Sequence, residues 1–116
     1  MHGLYFVFIK YVLLGIENNE KIKIMTLTTE NLSYLNYTVF DDRIDIDNIK
    51  SFAKGDGSKL IKELKCIASY LDLPIELYSE PQDDTISQED LNAFYEKNGF
   101  ELHADDVDCS YYVWCN

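Results

Sequence analysis

The sequence predicts an α+β fold, a mixed and mostly antiparallel sheet flanked by two helices, and three observations predict it. Runs of period two, rich in β-branched and aromatic residues, occupy the first half of the chain. A long stretch behind Gly57 carries apolar residues at helical spacing. A shorter helical stretch between Ser87 and Gly99 is followed by two more strand-like runs. The chain has 116 residues, and one core per roughly 100–150 residues is usual, so residues 1–116 read as a single domain.

Leu4 to Ile9 and Tyr11 to Leu14 form an apolar opening interrupted by Lys10, which reads as a strand or as an appended segment. After the polar turn Glu17 to Lys21, Ile22 to Leu27 alternates as a strand. Tyr34 to Phe40 places Leu35, Tyr37 and Val39 on one face. Asp41-Asp42 turns the chain into the strict alternation of Arg43 to Asp47, which breaks at Asn48-Ile49 and there suggests a bulge. Ser58 opens a helix whose Leu60, Ile61, Leu64, Ile67, Ala68 and Leu71 recur at i, i+4, i+7 and i+11, until Pro74 stops it. Ile75 to Tyr78 is a short strand and Glu80 to Thr85 a loop. Ser87 with Asp90 resembles a capping box, and Asn98-Gly99 is a good stop for the helix of Leu91, Phe94 and Tyr95. Phe100 to His103 and Tyr111 to Trp114 are the last strands, joined by the acidic turn Ala104 to Asp108.

Composition narrows the classes of function. With 47% hydrophobic residues and nine tyrosines the chain is no disordered acidic tail. Its 21 acids against 10 bases give a net charge of −11. Such a surface repels nucleic acid and anionic membranes and attracts basic protein. Residues 80–108 hold most of the local excess, while Lys54, Lys59, Lys62 and Lys65 make a basic spot; both also read as ordinary solvated faces. Cys66, Cys109 and Cys115 are odd in number and show no CxxC spacing, so neither a disulfide framework nor zinc follows, and a reducing cytoplasm fits. His2 and His103 are too isolated for a metal cluster, so no metal is expected. The apolar opening lacks the flanks of a signal peptide and is too short to span a bilayer as a helix.

Two features carry chemistry. In Lys54-Gly55-Asp56-Gly57-Ser58-Lys59 a strand runs through Gly-x-Gly directly into a helix. Helix-start amides and a dipole charge of about one half would favour an anion there, and glycine lets backbone approach it. On its own the pattern is more often a plain turn. It lacks the ending of a P-loop and the third glycine of a dinucleotide site. Asp56 opposes phosphate unless its side chain points away. The second feature is Tyr95, an aromatic on a helix and so ordinarily core, whose hydroxyl can serve as a general acid toward a thiolate.

Taken together, Lys54 to Leu60, Leu73-Pro74-Ile75-Glu76-Leu77 and Phe94-Tyr95-Glu96-Lys97-Asn98-Gly99-Phe100 resemble the pattern of the GNAT N-acetyltransferases, from about residue 44 to the C-terminus. Leu73 to Asp108 is similar to the type V anti-CRISPR acetyltransferases of phages and mobile elements. The resemblance implies a GNAT-like domain with its sheet splayed at a cofactor cleft and residues 1–20 as an N-terminal extension. It implies that Lys54, Gly55, Asp56, Gly57, Ser58 and Lys59 hold the pyrophosphate of acetyl-coenzyme A. Its pantetheine arm would lie beside Ile75 to Tyr78, and Tyr95 would protonate the leaving thiolate. A carboxylate or an ordered water would deprotonate the acceptor. The chain departs from the family at Phe52, where Arg or Gln is usual, and at Gln88, where Asn is usual.

The partner so implied is a basic protein target inside the host cell, a Cas12a effector acetylated on the lysine with which it reads the PAM. A small-amine acceptor, and a non-catalytic acidic DNA mimic, are the other readings that these residues leave open. Neither nucleic acid nor membrane is an expected partner, and a homo-oligomer is left open.

Overall fold

The computed structural model describes residues 5–8, 22–81, 84–105 and 110–116. Nine elements follow in order. They are β1 (Tyr5–Phe8), β2 (Lys23–Thr29), β3 (Tyr34–Val39), β4 (Ile44–Lys50), α1 (Asp56–Leu71), β5 (Ile75–Ser79), α2 (Gln88–Lys97), β6 (Glu101–Asp105) and β7 (Ser110–Trp114). The strands form one sheet in the order β1-β2-β3-β4-β5-β7-β6. Only β4 and β5 run parallel, as the two strands joined by the crossover helix α1. The predicted fold class holds, with the apolar opening contributing β1 on the edge of the sheet. The rest of that opening, Leu4, Ile9 and Tyr11 to Leu14, and most of the acidic turn before β7 lie outside the described residues.

The alternation that predicted the strands is also what gives the sheet two unlike faces. Leu27, Leu35, Tyr37, Ile44, Ile46, Ile75, Leu77 and Tyr112 are buried on one face. Both helices pack there. Phe94 of α2 meets the first turn of α1 at Gly57, and Lys65 of α1 donates to the Asn98 carbonyl and lies over the Phe100 and Trp114 rings. The other face is polar, with Thr26, Asn36 and Asn48 hydrogen-bonded in a row across β2, β3 and β4.

The predicted stripe of α1 is its buried face. Leu60, Ile61, Leu64 and Ala68 are fully buried, and each of the larger three stabilises the fold by about 1.5–3 kcal/mol. Ile67 packs at the margin and Leu71 is 42% exposed. The helix starts two residues before Ser58, and Asp72 in the left-handed region ends it ahead of Pro74. α2 begins as predicted, with the Ser87 hydroxyl accepting the Asp90 amide at 3.1 Å. Among the described residues no helix is long and apolar enough to cross a membrane.

Two irregularities shape the centre of the sheet. Asn36 pairs with Asn48 while Tyr37 pairs with Ile46, so Asp47 is an extra residue in β4. The bulge thus falls one residue ahead of the break at Asn48-Ile49 that the alternation suggested. Beyond Ile44–Ile75 and Asp45–Glu76 the parallel strands no longer pair, and the sheet splays.

Candidate active site

The splay opens a cavity of about 360 Å³ on the helix face. One wall is β4 from Ile46 to Lys50, and the other is Leu77 and Tyr78 of β5. Gly55, Gly57 and Ser58 close one end, and Leu91, Phe94, Tyr95 and Lys97 of α2 line the side.

The glycine loop forms this end of the cavity for a local reason. Gly55, the N-cap of α1, has φ 87°, a left-handed conformation that glycine adopts without strain. No side chain caps α1, unlike α2, and Gly57 and Ser58 of its first turn line the cavity end. A Cβ on Gly57 would stand 3.0 Å from the Phe94 ring, so glycine is what lets α2 lie against this turn.

Asp56 has another occupation. Its carboxylate is 2% exposed and accepts from Ser33 Oγ at 2.7 Å, Thr29 Oγ1 at 2.8 Å and Asn31 Nδ2 at 3.3 Å. The Ser33 hydrogen bond is the largest cause holding its pKa below the usual carboxylate value. Its amide donates to the Ala53 carbonyl. The side chain therefore points away from the loop and pins α1 to the β2–β3 turn. Of the six loop residues singled out in the sequence, Gly55, Gly57 and Ser58 line the cavity, whereas Lys54, Asp56 and Lys59 do not. The lysines that line it are Lys50, at the end of β4, and Lys97, inside the quoted FYEKNGF motif. Phe52 is 59% exposed and packs against Tyr34.

Tyr95 is a core residue that also lines the cavity. Its ring is edge-on to Phe94 and Phe100 and 6.3 Å from Tyr112. Burial alone raises its pKa, so the phenol stays protonated and able to donate throughout the neutral range. Neighbouring groups fix its helix. Gln88 donates to the Ser79 carbonyl and to Asn92 Oδ1, and Ser79 Oγ donates to the same Asn92 oxygen at 2.7 Å. Gln88, a departure from the family pattern, thus fastens α2 to β5.

On the far side of the splay lies an acidic groove of about 540 Å³, lined by Asp42, Asp45, Asp47, Glu76 and Glu80 with Arg43 among them. Arg43 pairs with Asp42 and Asp45, each at 3.0 Å. The Tyr111 hydroxyl donates to Glu76, and that hydrogen bond is the main cause pushing its pKa up to about 12. Sequence reasoning did not single out these acids. The signal was the Asp45–Asp47 alternation opposite Ile44 and Ile46, which places them on the open face.

No family model matches the sequence, and no curated protein matches it. Solved structures do. A chain from Bacteroides thetaiotaomicron assigned to the GNAT family of acetyltransferases superposes with a TM-score of 0.54 at 19% identity, over 82% of this chain and 62% of that one. The likeness is one of fold, the GNAT fold. The crystal structure of the anti-CRISPR protein AcrVA5 superposes with a TM-score of 0.65 at 44% identity, over 71% of this chain and 88% of that one. The chain belongs to the family of the anti-CRISPR protein AcrVA5, and it has the GNAT fold.

Proposed function

We propose that this chain transfers the acetyl group of acetyl-coenzyme A to a lysine on a basic protein surface, and that the target is the PAM-reading lysine of a Cas12a effector in the host cell. The observation that carries the chemistry is the meeting of Gly57, Ser58 and Tyr95 on one cavity that opens toward an acidic groove. The likeness to AcrVA5 supports the choice of target.

The residues present fit the cofactor. The side-chain-uncapped start of α1 offers amides and a partial positive charge to a pyrophosphate. Lys50 and Lys97 add cationic side chains at the cavity wall. Ile49, Leu77, Leu91 and Phe94 give it apolar walls suited to the pantetheine arm. Acetyl-coenzyme A supplies, when bound, an acetyl group activated as a thioester. Tyr95 holds the proton that the departing sulfur requires. The acids beyond the splay favour an incoming ammonium over neutral or anionic acceptors.

The test is calorimetry with acetyl-coenzyme A, followed by mass spectrometry of purified Cas12a incubated with both. The expected result is saturable binding and a mass gain of one acetyl group on a PAM-contacting lysine. No binding would refute the enzymatic reading. Binding without a mass gain on Cas12a would move the acceptor elsewhere, to a small amine first.

A further inference from the structure

We infer that Asp47 is the base that takes the proton from the acceptor amine, a residue assignment that rests on the acetyl-transfer reading above. Five carboxylates line the groove, and only Asp47 and Glu80 also line the cavity that holds Tyr95. An acceptor amine must reach both spaces at once, so its base is sought between these two. Glu80 lies past the last residue of β5 and is exposed, with no hydrogen bond to fix it among the described residues. Asp47 is the extra residue of the β4 bulge, and Thr38 Oγ1 donates to its Oδ2 at 2.7 Å. One oxygen is thereby anchored, and Oδ1 keeps its lone pairs for a proton. The remaining acids are engaged: Asp42 and Asp45 by Arg43, and Glu76 by Tyr111.

The surroundings suit a base. Desolvation by the groove raises the Asp47 pKa above the usual carboxylate value, and the Thr38 hydrogen bond only partly opposes this. Asp42 and Arg43 ahead of β4, Asp45 of β4, Glu76 and Tyr78 of β5, Glu80 beyond it and Tyr111 of β7 line the groove with it. Lys50, Lys97 and Tyr95 face it from the cavity.

The step balances. The acceptor ammonium gives one proton to Asp47, and the freed lone pair forms the new N–C bond at the acetyl carbon. The C–S bond breaks, and the sulfur takes the Tyr95 hydroxyl proton. Of the two protons lost by nitrogen, one restores Tyr95 and one leaves Asp47 for solvent, so one proton is released per acetyl group transferred.

The test uses the full chain, acetyl-coenzyme A and a blocked lysine peptide flanked by arginines. Asp47→Asn is expected to lower kcat by about 10²-fold, the usual contribution of a general base, while the calorimetric affinity for acetyl-coenzyme A stays unchanged. Its kcat/KM should keep rising with pH toward the pKa of the amine, where the parental rate levels off above that of Asp47. Most of the loss should vanish with trifluoroethylamine, an acceptor already neutral at pH 7. Thr38→Val removes a hydrogen bond that lowers the Asp47 pKa. It should therefore move both the acid limb of the rate and the 13C-carboxyl NMR titration of Asp47 to higher pH. Asp45→Asn and Glu76→Gln should leave the shape of the profile intact. A parental profile in Asp47→Asn, or an NMR titration of Asp47 unmoved by Thr38→Val, overturns the assignment while acetyl transfer stands. Absence of acetyl-coenzyme A binding by the parental chain overturns both.

Discussion

On the acetyl-transfer reading proposed above, Tyr95 is core and reagent at once. Its ring is 4% exposed and packed against three other aromatics, so removing the ring would cost about 3–5 kcal/mol in packing. The hydroxyl is separable from that role. Tyr95 lines the cavity, and no carboxylate takes part in raising its pKa. Tyr95→Phe keeps the ring and deletes the acid. Turnover should fall about 10²-fold or more, while acetyl-coenzyme A affinity and the thermal midpoint remain near the parental values. Steady-state kinetics beside calorimetry separates the two roles, because loss of packing would lower all three together. Parental turnover in this variant would mean that another group protonates the sulfur.

The junction between α1 and the β2–β3 turn is where an element depends on distant residues. Asp56 sits 23 to 27 positions from Ser33, Asn31 and Thr29, the three donors that hold its carboxylate. Nothing in the local sequence announces that partnership, and Asp56 accordingly read as an obstacle to an anion. The strands, both helices and the Ser87 cap were legible because period and capping chemistry are local. The splay was legible only through the family resemblance, and the bulge position and the buried carboxylate were not, because each depends on which strands become neighbours. Asp56→Ala should lower stability by about 3 kcal/mol at pH 7, since buried hydroxyl donors lose a charged acceptor. The folded pKa of Asp56 is depressed, so its contribution is present above the unfolded value near 3.9 and fades as pH falls through the folded one. Urea unfolding of both chains should therefore show the gap narrowing below about pH 4. A gap that persists undiminished into strong acid would show that charge is not what anchors the helix. The first turn of the same helix gives a contrasting prediction. Gly57→Ala gains about 1 kcal/mol of helix propensity, but the new methyl group meets the Phe94 ring at 3.0 Å and pushes it into the cavity. Stability should change little while acetyl-coenzyme A affinity falls, as read by calorimetry.

Charge is a property of the whole molecule that the proposed reaction would put to use. The net charge of −11 sets a field at long range, and the groove acids place part of it beside the reacting cavity. If the target is the DNA-reading surface proposed above, its Lys and Arg should draw the two proteins together with the acceptor lysine leading. Such steering is screened over a Debye length of about 8 Å at physiological salt. With a basic protein acceptor, kcat/KM should fall steeply between low and high ionic strength, and kcat should hold nearly constant, because steering acts on encounter and not on the chemical step. A small monovalent amine feels the same field through a single charge, and its kcat/KM should decline far less. Rates for both acceptors across a salt series make the comparison. Equal slopes would mean that the groove recognises one ammonium and nothing more of its target. That result would favour a small amine over a basic protein surface.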